Sequence, residues 1–583
     1  MYELNYNYSF LLSFITTFIF LSLLLIFCFS QFFANDKSIS IFGNFQPIII
    51  FFIIFSIIVF IFNILIYLDF FNNLNYAFFA LIFLFFFIWL IFGSKIKINT
   101  FNIKKYLDKK NIIIIIFFIT FFFISILPIS DADSVAIHQN LANFIYLNGL
   151  DSINLQKDFE FTTLANSEIL LILSPILKSD NFGSQLNFFS LLLLFIVSYK
   201  KNKSFIFFIF SCPLLIFLIS TQKLQLFFGV LYLVLFIIVH QKLLKKKIEI
   251  FLFIFLLAFY ASAKISYIII ALPLFFYFLI LNKKNIKLII YYSFIVFFIF
   301  FAPIFLIKFK FFGNPITPFY NSFFNLNNEF INLFALNLRS SEGWLGNTSD
   351  WRIFLKPFIP ISVGQLSNTL GVLFLIQIFN LSLLKETKFI PVIIIVLILC
   401  TGQILPRYYF EAFLILSFFY KPRNISLINF IKIFQGLAIL TLSFGFIFIA
   451  YFKHNVFFDK RNFMNQFTHS FFDNTQIENL GINENILAFT QERQSIFFEK
   501  NIYGSRGIYI KLLNSNLQDA TISFIKENAI KYIIVSDSHK IHSCVVLNKI
   551  DDINQKASIR NFFLNEAEKK YGVYLINIKG CNL

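Results

Sequence analysis

The stretch "PIIIFFIIFSIIVFIFNILIYL", residues 47 to 68, carries no charge, and runs of this kind recur along most of the chain. An α-helix rises about 1.5 Å per residue, so about 20 apolar residues cross the roughly 30 Å hydrocarbon core of a bilayer. By that measure the sequence predicts spans near 9 to 30, 47 to 68, 75 to 93, 112 to 128, 184 to 199, 204 to 220, 224 to 240, 249 to 261, 264 to 281, 288 to 307, 365 to 384, 389 to 405, 408 to 420 and 427 to 452. The expected fold class is an α-helical polytopic membrane protein of about fourteen transmembrane helices, with surface helices on the outer face and a small C-terminal α/β soluble domain. Only 13% of the 583 residues are charged and 58% are hydrophobic, against roughly one quarter charged in soluble domains. Phe, at 93 copies, stands out beside Ile, Asn, Lys and Tyr. All five have codons rich in A and T, so base composition accounts for part of the phenylalanine and lysine. The net charge of +18 is spread between apolar runs, not clustered on a soluble face as nucleic-acid binding requires. The N-terminus lacks a positive n-region and a clear cleavage site, so the first run is expected to be retained.

Lysine and arginine bias in short loops sets orientation. The linkers "SKIKINTFNIKKYLDKK", "YKKNK", "QKLLKKK", "NKKNIK", "LKETK" and "YKPRN" hold nearly all the loop cations and are expected on the cytoplasmic side. The alternation holds if residues 163 to 178 do not cross, which makes that segment a helix lying on the outer surface. Three regions then follow: N-terminal transmembrane helices in 1–111, a transmembrane catalytic region in 112–452 with outer loops 129–183 and 308–360, and an outer α/β domain in 453–583. In the last, strand-like "YIIVSD" and "GVYLINI" alternate with helix-like segments. An outward domain sees an oxidising compartment, where Cys544 and Cys581 could pair, although spacing alone does not show that they meet.

Chemistry concentrates in a few places. In "LPISDADSVAIHQN", Asp131 and Asp133 stand where a span leaves the bilayer. Two carboxylates there can act as a general base or bind Mg²⁺ or Mn²⁺. They can equally cap the amphipathic helix that follows and closes at Gly149. His138 lies on that helix without a second histidine at zinc spacing. Lys223, Lys264 and Arg407 fall at expected outer helix ends, where the charge rule disfavours them. Three such cations suit a phosphate, while each alone could snorkel to the interface. The long loop at 308–360 offers Arg339 and Arg352 among tryptophans that suit a sugar or an interfacial belt.

The order of "SDADSVAIHQNLANFIYLNG", "NSEILLI", "STQKLQL", "LLAFYASAKISYIIIALPLF", "FFGNPITPFYN", "NTLGVLFL" and "QILPRYYFEAFLIL" resembles the GT-C class of polytopic glycosyltransferases, of the protein O-mannosyltransferase and aminoarabinose-transferase type. The resemblance implies inverting transfer of a sugar from a polyprenyl-phosphate-linked donor to a glycan, lipid or protein acceptor at the outer face of the inner (plasma) membrane. It implies Asp131 as general base with Asp133 beside it, His138 and Glu168 orienting sugar or acceptor, and Lys223, Lys264 and Arg407 on the leaving phosphate. No cofactor is required, with Mg²⁺ or Mn²⁺ at the aspartates the alternative. A flippase of lipid-linked sugars, or a surface-polysaccharide polymerase or ligase using Arg339 and Arg352, fits the same composition.

Overall fold

The computed structural model describes chiefly residues 9–34, 45–93, 112–129, 134–151, 159–198, 203–244, 246–326, 369–379, 389–401, 405–419, 425–453 and 455–458, with shorter stretches between them and in the C-terminal sheet. Among the described residues four helices are long and apolar enough to cross a membrane: Phe10–Phe29, Gln46–Tyr67, Lys283–Phe312 and Asn429–Lys453. A fifth crossing exists if the bent pair Leu214–Ser220 and Gln225–His240 forms one broken span. The chain thus has the helices of a multi-pass membrane protein, but not the expected fourteen spans. The remaining described helices are shorter and pack with the long ones into one bundle, whose buried apolar cluster runs from Leu21 to Leu440.

The difference has a physical cause. The run at 204 to 220 is cut at Cys212 and Pro213 into Lys203–Phe210 (α9) and Leu214–Ser220 (α10). In the run at 112 to 128 the described α-helix is Ile112–Ser125 (α4), in that at 389 to 405 it is Phe389–Cys400 (α16), and in that at 408 to 420 it is Phe410–Phe419 (α17). Apolar segments of 10 to 14 residues are more often buried core helices than spans. Gln225–His240 (α11) shows why apolarity misleads here, because every residue from Gln225 to Val239 is buried in protein. A helix that is apolar all round is the mark of a core position as much as of a membrane.

The segment expected on the outer surface is also inside. Asn166–Leu170 (α6) and Leu173–Ile176 (α7) are short and almost wholly buried. Asn63 of Gln46–Tyr67 (α2) donates to Asn166 Oδ1 at 2.8 Å, and Asn166 donates to Ser262 Oγ at 2.8 Å and to the Phe300 carbonyl at 3.2 Å. Those last two residues belong to Lys247–Ser262 (α12) and Ile286–Phe312 (α14). One asparagine thereby joins three larger helices, which is how a buried amide satisfies its donors.

Helix α10 meets α11 at a bend of 114°. Asn187, on Phe182–Ser198 (α8) and fully buried, spans the bend. Its amide donates to the Leu218 and Lys223 carbonyls, each at 2.8 Å, and its oxygen accepts from the Phe227 N–H at 3.0 Å. These bonds satisfy backbone groups that the break leaves without helical partners.

After Ile425–Phe448 (α18) the chain is clamped by an ion pair between Lys460 and buried Asp180. Further on lies a mixed sheet of Asn485–Ala488 (β1), Ile502–Gly504 (β2), Ile530–Val535 (β3), Val545–Asn554 (β4) and Lys570–Ile578 (β5), in the order β2-β1-β3-β5-β4. Strand β1 is parallel to β2 and β3, and β5 is antiparallel to β3 and β4.

Gly183 packs directly on the bend: its N–H donates to Gln222 Oε1 at 2.6 Å, and a Cβ there would stand 2.8 Å from the Gln222 carbonyl oxygen. Gly183→Ala is expected to cost about 1–3 kcal/mol, read as a lower midpoint of thermal unfolding in detergent. An unchanged midpoint would mean the bend is looser than described.

Candidate functional site

The bend delivers Lys223 to the centre of a cationic cluster. The elbow "STQKLQ" cannot continue α10, since Thr221 is extended and its hydroxyl lies 2.6 Å from that of Ser134. Ser134 also accepts from the Gln222 N–H at 3.0 Å. Lys223 itself is 9% exposed, with its ammonium 5.1 Å from the centre of the Phe217 ring. Arg407, 8% exposed, approaches the same ring at 6.0 Å and the Tyr408 ring at 5.3 Å. Its carbonyl accepts from Gln225 at the start of α11. Lys264 caps Ile265–Leu281 (α13) and reaches the Tyr408 ring at 5.6 Å. Two aromatic rings therefore gather three cations, an arrangement that offsets part of the cost of removing them from water.

The acidic side of the cluster is Glu168. Its Oε2 accepts from the Ala165 N–H at 3.0 Å and from the Ser167 hydroxyl at 2.8 Å, which fixes the first turn of α6. Its Oε1 lies 2.8 Å from His138 Nδ1. His138 sits on the wide turn Ser134–Gln139 that leads into Asn140–Asn148 (α5), closed as expected at Gly149 with φ +68°. The Ser167 N–H donates to the Ala263 carbonyl at 3.3 Å, so Glu168 is held one residue away from the strand of chain that carries Lys264.

The electrostatics follow from these contacts. Burial holds the Lys264 ammonium below the usual lysine range; Tyr408 opposes this, Lys223 and Arg407 add to it, and Glu168 opposes it weakly. Burial likewise lowers His138, against the hydrogen bond and charge of Glu168 and with the help of Lys223 and Lys264. The imidazole is therefore largely neutral at pH 7. For Tyr408, burial would raise the phenol, but Arg407, Lys264 and Lys223 outweigh it and bring it down to about 7.

The structure thus brings together five residues singled out by sequence: His138, Glu168, Lys223, Lys264 and Arg407. Asp131, Asp133, Arg339, Arg352, Cys544 and Cys581 lie outside the described residues. Three groups were not anticipated. Tyr408 joins two of the cations. Lys308 is buried and donates to the Thr317 carbonyl at 2.9 Å. Glu411, fully buried, accepts from the Tyr260 hydroxyl at 3.0 Å. Glu411 and Tyr408 both stand in "LPRYYFEAF", where a carboxylate inside an apolar run was the available signal.

No family model matches the chain, and no curated protein or solved structure is similar to it. With four or five crossing helices among the described residues, the many-span architecture on which the GT-C resemblance depended is missing from them, and the resemblance is overturned. The reading as a transferase of lipid-linked sugars falls with it. Among the described residues no three His, Cys, Asp or Glu side chains are grouped to hold a metal, and no catalytic motif supports that reaction.

A phenol at about 7 in the fold and near 10 in the unfolded chain releases its proton from the folded state first. Its contribution to stability is therefore complete above about pH 10 and is lost as pH falls through about 7. A spectrophotometric titration at the phenolate band is expected to show one tyrosine ionising near neutrality, absent in Tyr408→Phe and moved to higher pH in Lys264→Met. No neutral step in the parent protein would disprove this electrostatic account.

Proposed function

We propose that this multi-pass membrane protein binds a phosphate-bearing ligand at the Lys223, Lys264 and Arg407 cluster. The observation that carries the reading is the convergence of three cations on two aromatic rings. Partly buried like charges repel strongly at low dielectric, and an anion relieves that repulsion. Phosphate suits the set because Arg offers a fork of donors and the two lysines offer point charges.

The lysine-rich linkers support a location. Helix α11 runs from the cluster to "QKLLKKK", α12 returns from it, and α13 runs from Lys264 to "NKKNIK". The cluster thus lies at the ends of these helices remote from the basic linkers. A ligand reaching a cluster beside membrane-length helices suits a phosphate carried on a lipid such as a polyprenyl chain.

Thermal stabilisation of the purified protein by farnesyl phosphate, farnesol and inorganic phosphate separates the contributions. Farnesyl phosphate is expected to stabilise the parent strongly, inorganic phosphate weakly and farnesol not at all. Replacing Lys223 or Arg407 by Met is expected to weaken farnesyl phosphate binding by about tenfold or more, the worth of a charge-assisted hydrogen bond. Equal stabilisation of the parent and of a Lys223→Met, Lys264→Met, Arg407→Met triple variant would refute the proposal, and equal effects of the two phosphates would remove the lipid from it.

A further inference from the structure

A cavity lies away from the cluster, between Phe10–Ala34 (α1), α2 and Leu74–Gly93 (α3), with the end of α7 at one mouth. Its volume is about 560 Å³, within the roughly 300–1,000 Å³ of pockets that hold drug-sized ligands. The wall is apolar: Ile19, Leu23 and Ile26 from α1 face Phe79 and Ile82 from α3. Phe20 meets Phe78 edge-on at 5.4 Å and Phe27 meets Phe85 at 6.1 Å, which props α1 and α3 apart along the cavity. The cavity follows α1 from Ile15 to Phe27, about 18 Å at 1.5 Å per residue and so roughly one leaflet of the ~30 Å hydrocarbon core.

One cation stands at its end. Lys178 lines the cavity, is exposed, and among the described residues has no carboxylate partner. Its position is fixed by the turn closing α7, where its N–H donates to the Pro175 carbonyl at 3.1 Å and the Ser179 N–H donates to the Ser174 carbonyl at 2.9 Å. The Ser13 hydroxyl, in the first turn of the Phe10–Phe29 span, donates to the Lys178 carbonyl at 3.4 Å. Lys178 is therefore level with the first turn of that span, at headgroup depth, while the apolar wall extends from it into the hydrocarbon.

We propose that this groove is a binding site for an anionic phospholipid, with one acyl chain between α1 and α3 and the headgroup phosphate on Lys178. A cation at one end and a leaflet-deep apolar wall behind it match the two ends of such a lipid, and neither water nor a free anion satisfies both. The site is separate from the cluster at Lys223, Lys264 and Arg407 and does not depend on the reading given to it.

The test uses the full chain in phosphatidylcholine nanodiscs containing a small fraction of phosphatidylglycerol with a diazirine on one acyl chain, or phosphatidylcholine with the same label. After irradiation, adducts are mapped by mass spectrometry. The phosphatidylglycerol probe is expected to mark residues 15 to 27 and 78 to 85 above the exposed face of α14 at Ile290, Phe294 and Phe298. A basic residue near an anionic lipid surface is worth enough that Lys178→Gln should cut this preference over phosphatidylcholine about fivefold. Leu23→Trp, which fills the groove, should lower labelling by both probes while the α14 face is unchanged. Thermal unfolding of each variant shows that it is folded. Groove labelling equal to that of the α14 face, or insensitive to both substitutions, would overturn the proposal.

Discussion

The side chain of Asn187 holds open the break on which the rest of the site depends. Where α10 ends and α11 begins, the chain turns through 114° inside the protein, leaving carbonyls and N–H groups away from helical partners. Buried backbone groups without partners are costly. Asn187 answers three of them with one side chain, taking both the Leu218 and Lys223 carbonyls and the Phe227 N–H. Gln222 and Ser134 complete the elbow through Gly183 and Thr221. A straight helix would carry Lys223 along an apolar face; the elbow turns it toward Phe217, Arg407 and Lys264.

Charge then organises what the elbow has assembled. Lys223, Arg407 and Lys264 would repel one another without the Phe217 and Tyr408 rings and without Glu168 nearby. The Tyr408 phenol, brought down to about 7 by the cations, gives the cluster a negative group of its own near neutral pH. A bound phosphate would compete with that phenolate for the same cations. Ligand binding and proton uptake at Tyr408 would then be linked, because the group that gains a competitor holds its proton more tightly.

How much of this was legible in the sequence depended on which signal carried it. Long uninterrupted runs such as 47 to 68 and 288 to 307 do correspond to membrane-length helices. Shorter ones failed because composition drowned the pattern: with 93 phenylalanines, buried core helices such as α11 are as apolar as spans. Segment 163 to 178 was misplaced because the bonds that bury it come from Asn63, Ser262 and Phe300, all remote in sequence. Misplaced charge was the better guide, since Lys223, Lys264 and Arg407 were each conspicuous at a helix end and the fold brings them together. Tyr408 escaped notice because a tyrosine next to an arginine is ordinary until two more cations arrive from other helices.

The central claim is that this cluster is an anion site. The most direct measurement is the thermal unfolding midpoint of Lys264→Met at a pH below about 6, where the Tyr408 phenol holds its proton in parent and variant alike, in buffer free of phosphate and other multivalent anions. Methionine keeps the volume of the stem and removes one of three mutually repelling, partly buried charges, so the account predicts a midpoint equal to or above that of the parent. A midpoint several degrees lower would show that Lys264 is already paired within the fold, and would contradict the account.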